Sequence, residues 1–399
     1  MTVEVPVPTL AALVMPMKNA GAEAGPHGQR AARAAAAGRG AGRPQRYENG
    51  VGTARENEFS ALMAALRPRL DAELARVWSA QLAKYRRHGE SVQQTLSAAR
   101  DLCLRGGKRL RAGLVATGYS ARRAHGDWQG ALAVGVAVEL LHSYFLIHDD
   151  WMDRDALRRG GPTVHAGLGR AFRSSHLGAA AAVLAGDYTL ALATEVLARS
   201  GVSERRLVPL LSCFAQMQLD ATVGQQLDVL SEDPDVVEIY RLKTASYTVS
   251  GPLKLGALLA GASQSESEGL DSFALPLGIA FQLKDDLIGV FEPSRASGKP
   301  LGSDIKAGKR TWLIQLGLER ASPAGRRTLE RAFGNARAGQ RELRSAIDVL
   351  EASGAKRLVE RRIAALSRRA LGALEEQRLN ARGRRLLEGA VQVLIERSS

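Results

Sequence analysis

The sequence predicts an all-α protein, one large helical bundle of roughly a dozen helices. Two observations carry that reading. From Phe59 onward apolar residues recur three and four apart, the period of an amphipathic helix. No run alternates with a period of two, and no Asn-Gly pair joins two β-branched runs, so strand and hairpin signals are missing. There is no short-period repeat.

The elements follow in order. Leu62, Leu66, Leu70 and Leu74 form one stripe with charges between. Helical segments are then expected at Val92–Leu104, Leu110–Arg123, Ala131–Asp153, His176–Ala198, Glu204–Leu230 and Val236–Thr248. More are expected near Pro252–Ala262, Phe273–Phe291, Leu313–Glu319, Pro323–Phe333, Gln340–Ala352, Lys356–Gln377 and Arg384–Glu396. Ala131–Ile147 is the most apolar stretch. Its 17 residues are at the short limit for a membrane span, and Glu139 and His142 sit in its middle. Central ionisable groups are costly in lipid, so it reads as a buried core helix and no membrane span is expected.

Of 399 residues, 45% are hydrophobic and 24% charged, which excludes collagen, coiled coil and full-length disorder. Cys103 and Cys213 alone form neither a disulfide framework nor a zinc site. Net charge is +14, of which residues 1–57 contribute 7 − 4 = +3. That stretch is rich in Ala, Gly and Arg, with Tyr47 its only aromatic. It cannot bury enough surface to offset its ordering entropy, and it reads as a disordered tail ahead of a domain spanning 58–399. The body's cations fall in short motifs beside glycines and aspartates rather than in one block. Nucleic acid is therefore not expected as a ligand, and a diphosphate is.

Two aspartate motifs carry the chemistry. In Asp149-Asp150-Trp151-Met152-Asp153, Asp149 and Asp153 lie one helical turn apart on one face. Their repulsion favours nothing structural, but a hard cation uses it. Mg²⁺ prefers one or two carboxylates plus substrate phosphates. The second motif, Asp285-Asp286-Leu287-Ile288-Gly289, also ends an apolar helix. The two fit helices of a bundle that face each other across a cavity.

Cations complete the pattern. Gly106-Gly107-Lys108-Arg109-Leu110-Arg111 places three at a loop-to-helix junction, where backbone N–H groups favour an anion. Arg158-Arg159-Gly160-Gly161-Pro162-Thr163 follows the first acidic motif, and arginines grip phosphate oxygens bidentately. Lys243-Thr244, Lys299 and Lys309 add point charges around the second.

Together these residues resemble the trans-isoprenyl diphosphate synthases (polyprenyl synthetases) of short-chain type, such as farnesyl or geranylgeranyl diphosphate synthase. The resemblance runs from about residue 60 to the C-terminus. It rests on the motifs above in order, with Glu139-x-x-His142, Gly186-Asp187, Gly224-Gln225-x-Leu227-Asp228 and Phe281-Gln282-x-x-Asp285-Asp286. It implies an all-α fold of the isoprenoid synthase type, a cytoplasmic homodimer, and head-to-tail addition of isopentenyl diphosphate to an allylic diphosphate. Carried over, Asp149, Asp153 and Asp285 would hold three Mg²⁺, with Mn²⁺ as a substitute. Arg158, Lys243, Thr244, Gln282, Lys299 and Lys309 would serve the allylic diphosphate. Lys108, Arg111, His142 and Arg159 would hold isopentenyl diphosphate. Gln225 and Asp228 look like supporting polar residues. The second motif departs from the usual pattern, having Gly289 where a third aspartate often stands.

In this family the tunnel floor sets product length. Tyr144 and Phe145 lie one turn deeper than Asp149. Two rings there favour a fifteen-carbon product, with twenty carbons next. The alternatives are a class I terpene cyclase, which would lack an isopentenyl site, and a non-catalytic subunit of a synthase heteromer, which tends to lose the aspartate motifs.

Overall fold

The computed structural model describes residues 57–123, 128–231, 235–292 and 301–396. Residues 1–56, most of the expected tail, lie outside the described residues, as does Lys299. Asn57 belongs to the body rather than the tail. It caps α1 (Glu58–Lys84) by accepting from Ser60 N, and it donates to Gly389 O at 3.1 Å.

The helices form where the apolar period placed them. α2 (Glu90–Leu104), α3 (Leu110–Ser120), α4 (Leu132–Met152), α5 (Val164–Ala171), α6 (Ser175–Ala198) and α7 (Glu204–Leu230) follow α1. Ser174 caps α6 by accepting from Leu177 N, an ordinary serine start. After the short α8 (Val236–Ile239) come α9 (Gly251–Ala260), α10 (Gln264–Glu268) and α11 (Asp271–Phe291). The last are α12 (Ser303–Lys306), α13 (Trp312–Arg320), α14 (Pro323–Ala332), α15 (Gln340–Ala352), α16 (Ala355–Ala373) and α17 (Ala381–Ile395). Asn380 caps α17 and ties it to α3 by donating to Ser120 O at 2.8 Å.

Two departures matter for the site. The helix expected at Val236–Thr248 is π-helical over Tyr240–Ser250, a form that a 3.6-residue period does not reveal. The loop after α4 holds a two-residue antiparallel ladder, Leu157–Arg158 on Gly161–Pro162. Arg159 and Gly160 form its turn with φ of 50° and 73°, the mirror-image turn suited to tight hairpins.

α4 is the central helix. Val134, Val136, Val138, Leu140 and Leu141 are fully buried, so this span-length segment is core. It packs on α3 and α6. α11 bridges two apolar clusters. Phe273 and Leu277 join the larger one, while Leu283 and Leu287 join a second one with α13–α16. The acidic motifs therefore sit toward the C-terminal ends of two helices whose apolar residues are buried in the core.

Candidate active site

The loop between α2 and α3 is held from below. Gly106 and Gly107 take φ of 88° and 133°, and Arg109 takes 52°, a left-handed conformation costly for a side-chain-bearing residue. Arg109 is 3% exposed. It donates to Asp71 at 2.8 Å, to Cys103 O at 2.9 Å and to Glu139 at 3.3 Å. Glu139 in turn accepts from Ala112 N. With the loop fixed, Lys108 is exposed, and Arg111 turns toward the π-helical segment. Arg111 donates to Tyr247 Oη and Thr248 Oγ1, both at 2.8 Å, and lies over the Tyr247 ring.

The hairpin brings Arg159 to the same loop. Its guanidinium donates to Gly106 O at 2.6 Å and packs where a Gly107 side chain would begin. His142 stands among these groups. Burial, then Arg111, Arg159, Arg158 and Arg109, hold its pKa well below the usual value. The ring is neutral, and its buried Nδ1 has no partner among the described residues. Arg111, His142 and Arg159 thus share one neighbourhood, with Lys108 exposed on the loop that leads into α3.

The first acidic motif ends α4, with Asp153 as its C-cap. Lys243 Nζ lies 3.4 Å from Asp149 and 2.5 Å from Asp228. Gly224 makes that possible. A side chain there would overlap the Lys243 backbone, so α7 and the π-helical segment cross closely. Lost hydration lowers the Lys243 pKa, but Asp149 and Asp228 outweigh it and hold the ammonium above its ordinary value. Asp153 is raised, by lost hydration and then by Asp149. Asp150 points the other way, fully buried, and accepts from Arg158 at 2.5 Å. Burial pushes it up to about 6 against Arg158's opposing charge.

The second motif divides likewise. Asp285 is exposed, while Asp286 is buried and accepts from Tyr240 Oη and from Gln282 at 2.9 Å. Burial pushes Asp286 up to about 7. Thr244 donates to the Gln282 carbonyl at 2.8 Å, so these two predicted ligands are bonded to each other. Lys309 Nζ lies 3.4 Å from Asp304, beside the second motif. Lost hydration lowers its pKa, and the fields of Asp304, then Asp153, Asp285 and Asp149, outweigh that.

Tyr144 and Phe145 line the side below Asp149. Their ring centroids are 4.9 Å apart, and Phe145 lies 4.9 Å from Tyr247. Both are half-buried, unlike their fully buried neighbours Leu140 and Leu141.

Among the described residues, no three His, Cys, Asp or Glu side chains converge enough to hold a cation alone. The oxygen donors still fit a hard cation. Asp149 and Asp153 share one helical face, their repulsion is visible in Asp153, and substrate phosphate can complete the shell. Sequence reading missed Tyr247, Tyr240, Asp304 and the anchoring roles of Arg109 and Glu139. The Glu139-x-x-His142 spacing was the one signal for the last.

Residues 92–350 match the polyprenyl synthetase family. The geranylgeranyl diphosphate synthase of Sulfolobus acidocaldarius is 33% identical over 268 residues, 65% of this chain and 78% of that one. The (2E,6E)-farnesyl diphosphate synthase of Mycobacterium tuberculosis is 34% identical over 260 residues, 63% of this chain and 68% of that one. The crystal structure of geranylgeranyl pyrophosphate synthase from Corynebacterium glutamicum, complexed with isoprenyl diphosphate and magnesium, superposes with a TM-score of 0.78 at 32% identity. It covers 83% of this chain and 98% of that one.

Proposed function

Because the chain belongs to the polyprenyl synthetase family, we propose that it adds isopentenyl diphosphate head-to-tail to an allylic diphosphate. It is a trans-isoprenyl diphosphate synthase of short-chain type. The observation that carries the reading is a lysine set at each acidic motif: Lys243 Nζ lies 3.4 Å from Asp149, and Lys309 Nζ lies 3.4 Å from Asp304, whose carboxylate fills the space beside Gly289.

Asp149, Asp153 and Asp285 would hold Mg²⁺, three ions per site, with Mn²⁺ as a substitute. Bound Mg²⁺ supplies Lewis-acid neutralisation of the diphosphate. Arg158, Lys243 and Lys309 face the allylic diphosphate with fixed charge. They stabilise pyrophosphate as the carbon–oxygen bond breaks and an allylic cation remains. Thr244, Gln282 and Lys299 complete that side. Lys108, Arg111, His142 and Arg159 hold isopentenyl diphosphate so that its double bond attacks the cation. The released pyrophosphate accepts the proton, so no side-chain base is needed. Tyr144, Phe145 and Tyr247 line an apolar surface that keeps water from the cation.

Tyr144 and Phe145 favour farnesyl diphosphate as product, with geranylgeranyl diphosphate next. The catalytic unit begins at Asn57, the cap of α1, with residues 1–56 dispensable, and it works as a cytoplasmic homodimer. Leu177 and Leu184 on α6, with Leu219 and Val223 on α7, are 49–65% exposed. Such an apolar stripe fits a second copy.

The test is incorporation of labelled isopentenyl diphosphate with and without an allylic starter. The synthase reading requires both. Hydrocarbon released from the allylic substrate alone would mark a terpene cyclase. Inactivity of the purified chain would mark a non-catalytic subunit.

A further inference from the structure

Gly289 is one turn beyond Asp285 on α11, so it shares that residue's face. No carboxylate is attached there, but one is present. A Cβ built on Gly289 would overlap Asp304 Oδ2 and Cγ. Asp304 reaches this space from α12, which is stitched to the end of α11. Ser303 Oγ donates to Gly289 O and Gly302 N donates to Val290 O, both at 3.2 Å. The Asp304 carboxylate is 9% exposed as a residue and lies 3.4 Å from Lys309 Nζ. The Lys309 amide also donates to Asp304 O at 3.0 Å.

We infer that Gly289 and Asp304 act as one unit: Asp304 fills the third acidic position of the second motif and holds Lys309 over the allylic diphosphate. This rests on the synthase reading above. Gly289 is then required for space rather than for backbone freedom, since a side chain would expel the carboxylate. Asp304 is a positioning residue that acts through Lys309. Its carboxylate gives the flexible ammonium one direction, and the backbone bond fixes the lysine's root.

The test exchanges the carboxylate between the two positions. Asp304→Asn keeps shape and removes charge. It should raise the KM for the allylic diphosphate about tenfold and leave that for isopentenyl diphosphate nearly unchanged. Gly289→Ala should give the same selective rise together with a lower Tm. Gly289→Asp should lower Tm further, and the double variant Gly289→Asp/Asp304→Gly should recover both Tm and most of the allylic KM. The inference fails if Asp304→Asn leaves the allylic KM unchanged or shifts both KM values equally. It also fails if the exchange variant is no better than Asp304→Gly alone. If the wild-type chain does not consume isopentenyl diphosphate, the synthase reading fails instead. The Tm series still decides whether the two positions share one carboxylate.

Discussion

Lys243 Nζ stands 3.4 Å from Asp149 Oδ1, joining the π-helical segment to the first acidic motif. The same ammonium takes Asp228 from α7, so three elements converge on one charge. Asp153 is raised by lost hydration and then by Asp149, while Asp149 also pairs with Lys243, so its effects on stability oppose each other. Asp149→Ala and Asp285→Ala should therefore each lower turnover at least about a hundredfold while changing Tm little. Steady-state rates and thermal melts check this. A near-normal rate in Asp149→Ala removes the motif from the chemistry.

Arg109 and Glu139 form a buried pair under the glycine loop, with side chains 1% and 3% exposed. Breaking such a pair leaves an uncompensated buried charge. Arg109→Met should cost roughly 3–5 kcal/mol, and Arg109→Met with Glu139→Gln should cost less than either change implies alone. Chemical denaturation of the four proteins gives the coupling. Additive losses would contradict the pairing.

What the sequence made legible was local. Asp149 and Asp153 announce themselves because i,i+4 spacing is a property of one helix, and the apolar run before them marks α4 as core. The relation of Gly289 to Asp304 stayed hidden because it depends on a loop folding back across α11. Tyr247 stayed hidden because Arg111, 136 residues earlier, gives it its meaning. The Arg159–Gly160 turn escaped notice because a two-residue ladder leaves no alternating run.

His142 sets a pH dependence. Its folded-state pKa is depressed by burial and by Arg111, Arg159, Arg158 and Arg109, with Glu139 one turn before it. The unfolded chain therefore takes up the proton first as pH falls. Stability contributed by neutral His142 is complete above about pH 6.5 and declines below it. Melts between pH 7.5 and 5 should show a steeper loss in the wild type than in His142→Gln. Equal slopes would sink this assignment.

Phe145 tests the tunnel floor. Its ring touches Tyr144 and Tyr247 but is only half-buried. Phe145→Ala should therefore cost less than the roughly 3–5 kcal/mol of a fully buried ring. The opened space accepts more hydrocarbon, so the variant should make longer products at equal conversion, with an unchanged metal requirement. An active variant whose longest product matches the wild type makes Phe145 an ordinary packing residue.

The most direct measurement is chromatography of products from labelled isopentenyl diphosphate with each allylic starter, run in Mg²⁺ and in excess chelator. A site in which both acidic motifs hold one diphosphate through metal predicts a labelled fifteen-carbon diphosphate in Mg²⁺ and none in chelator. Undiminished turnover in chelator, or label absent from every product in Mg²⁺, would contradict it.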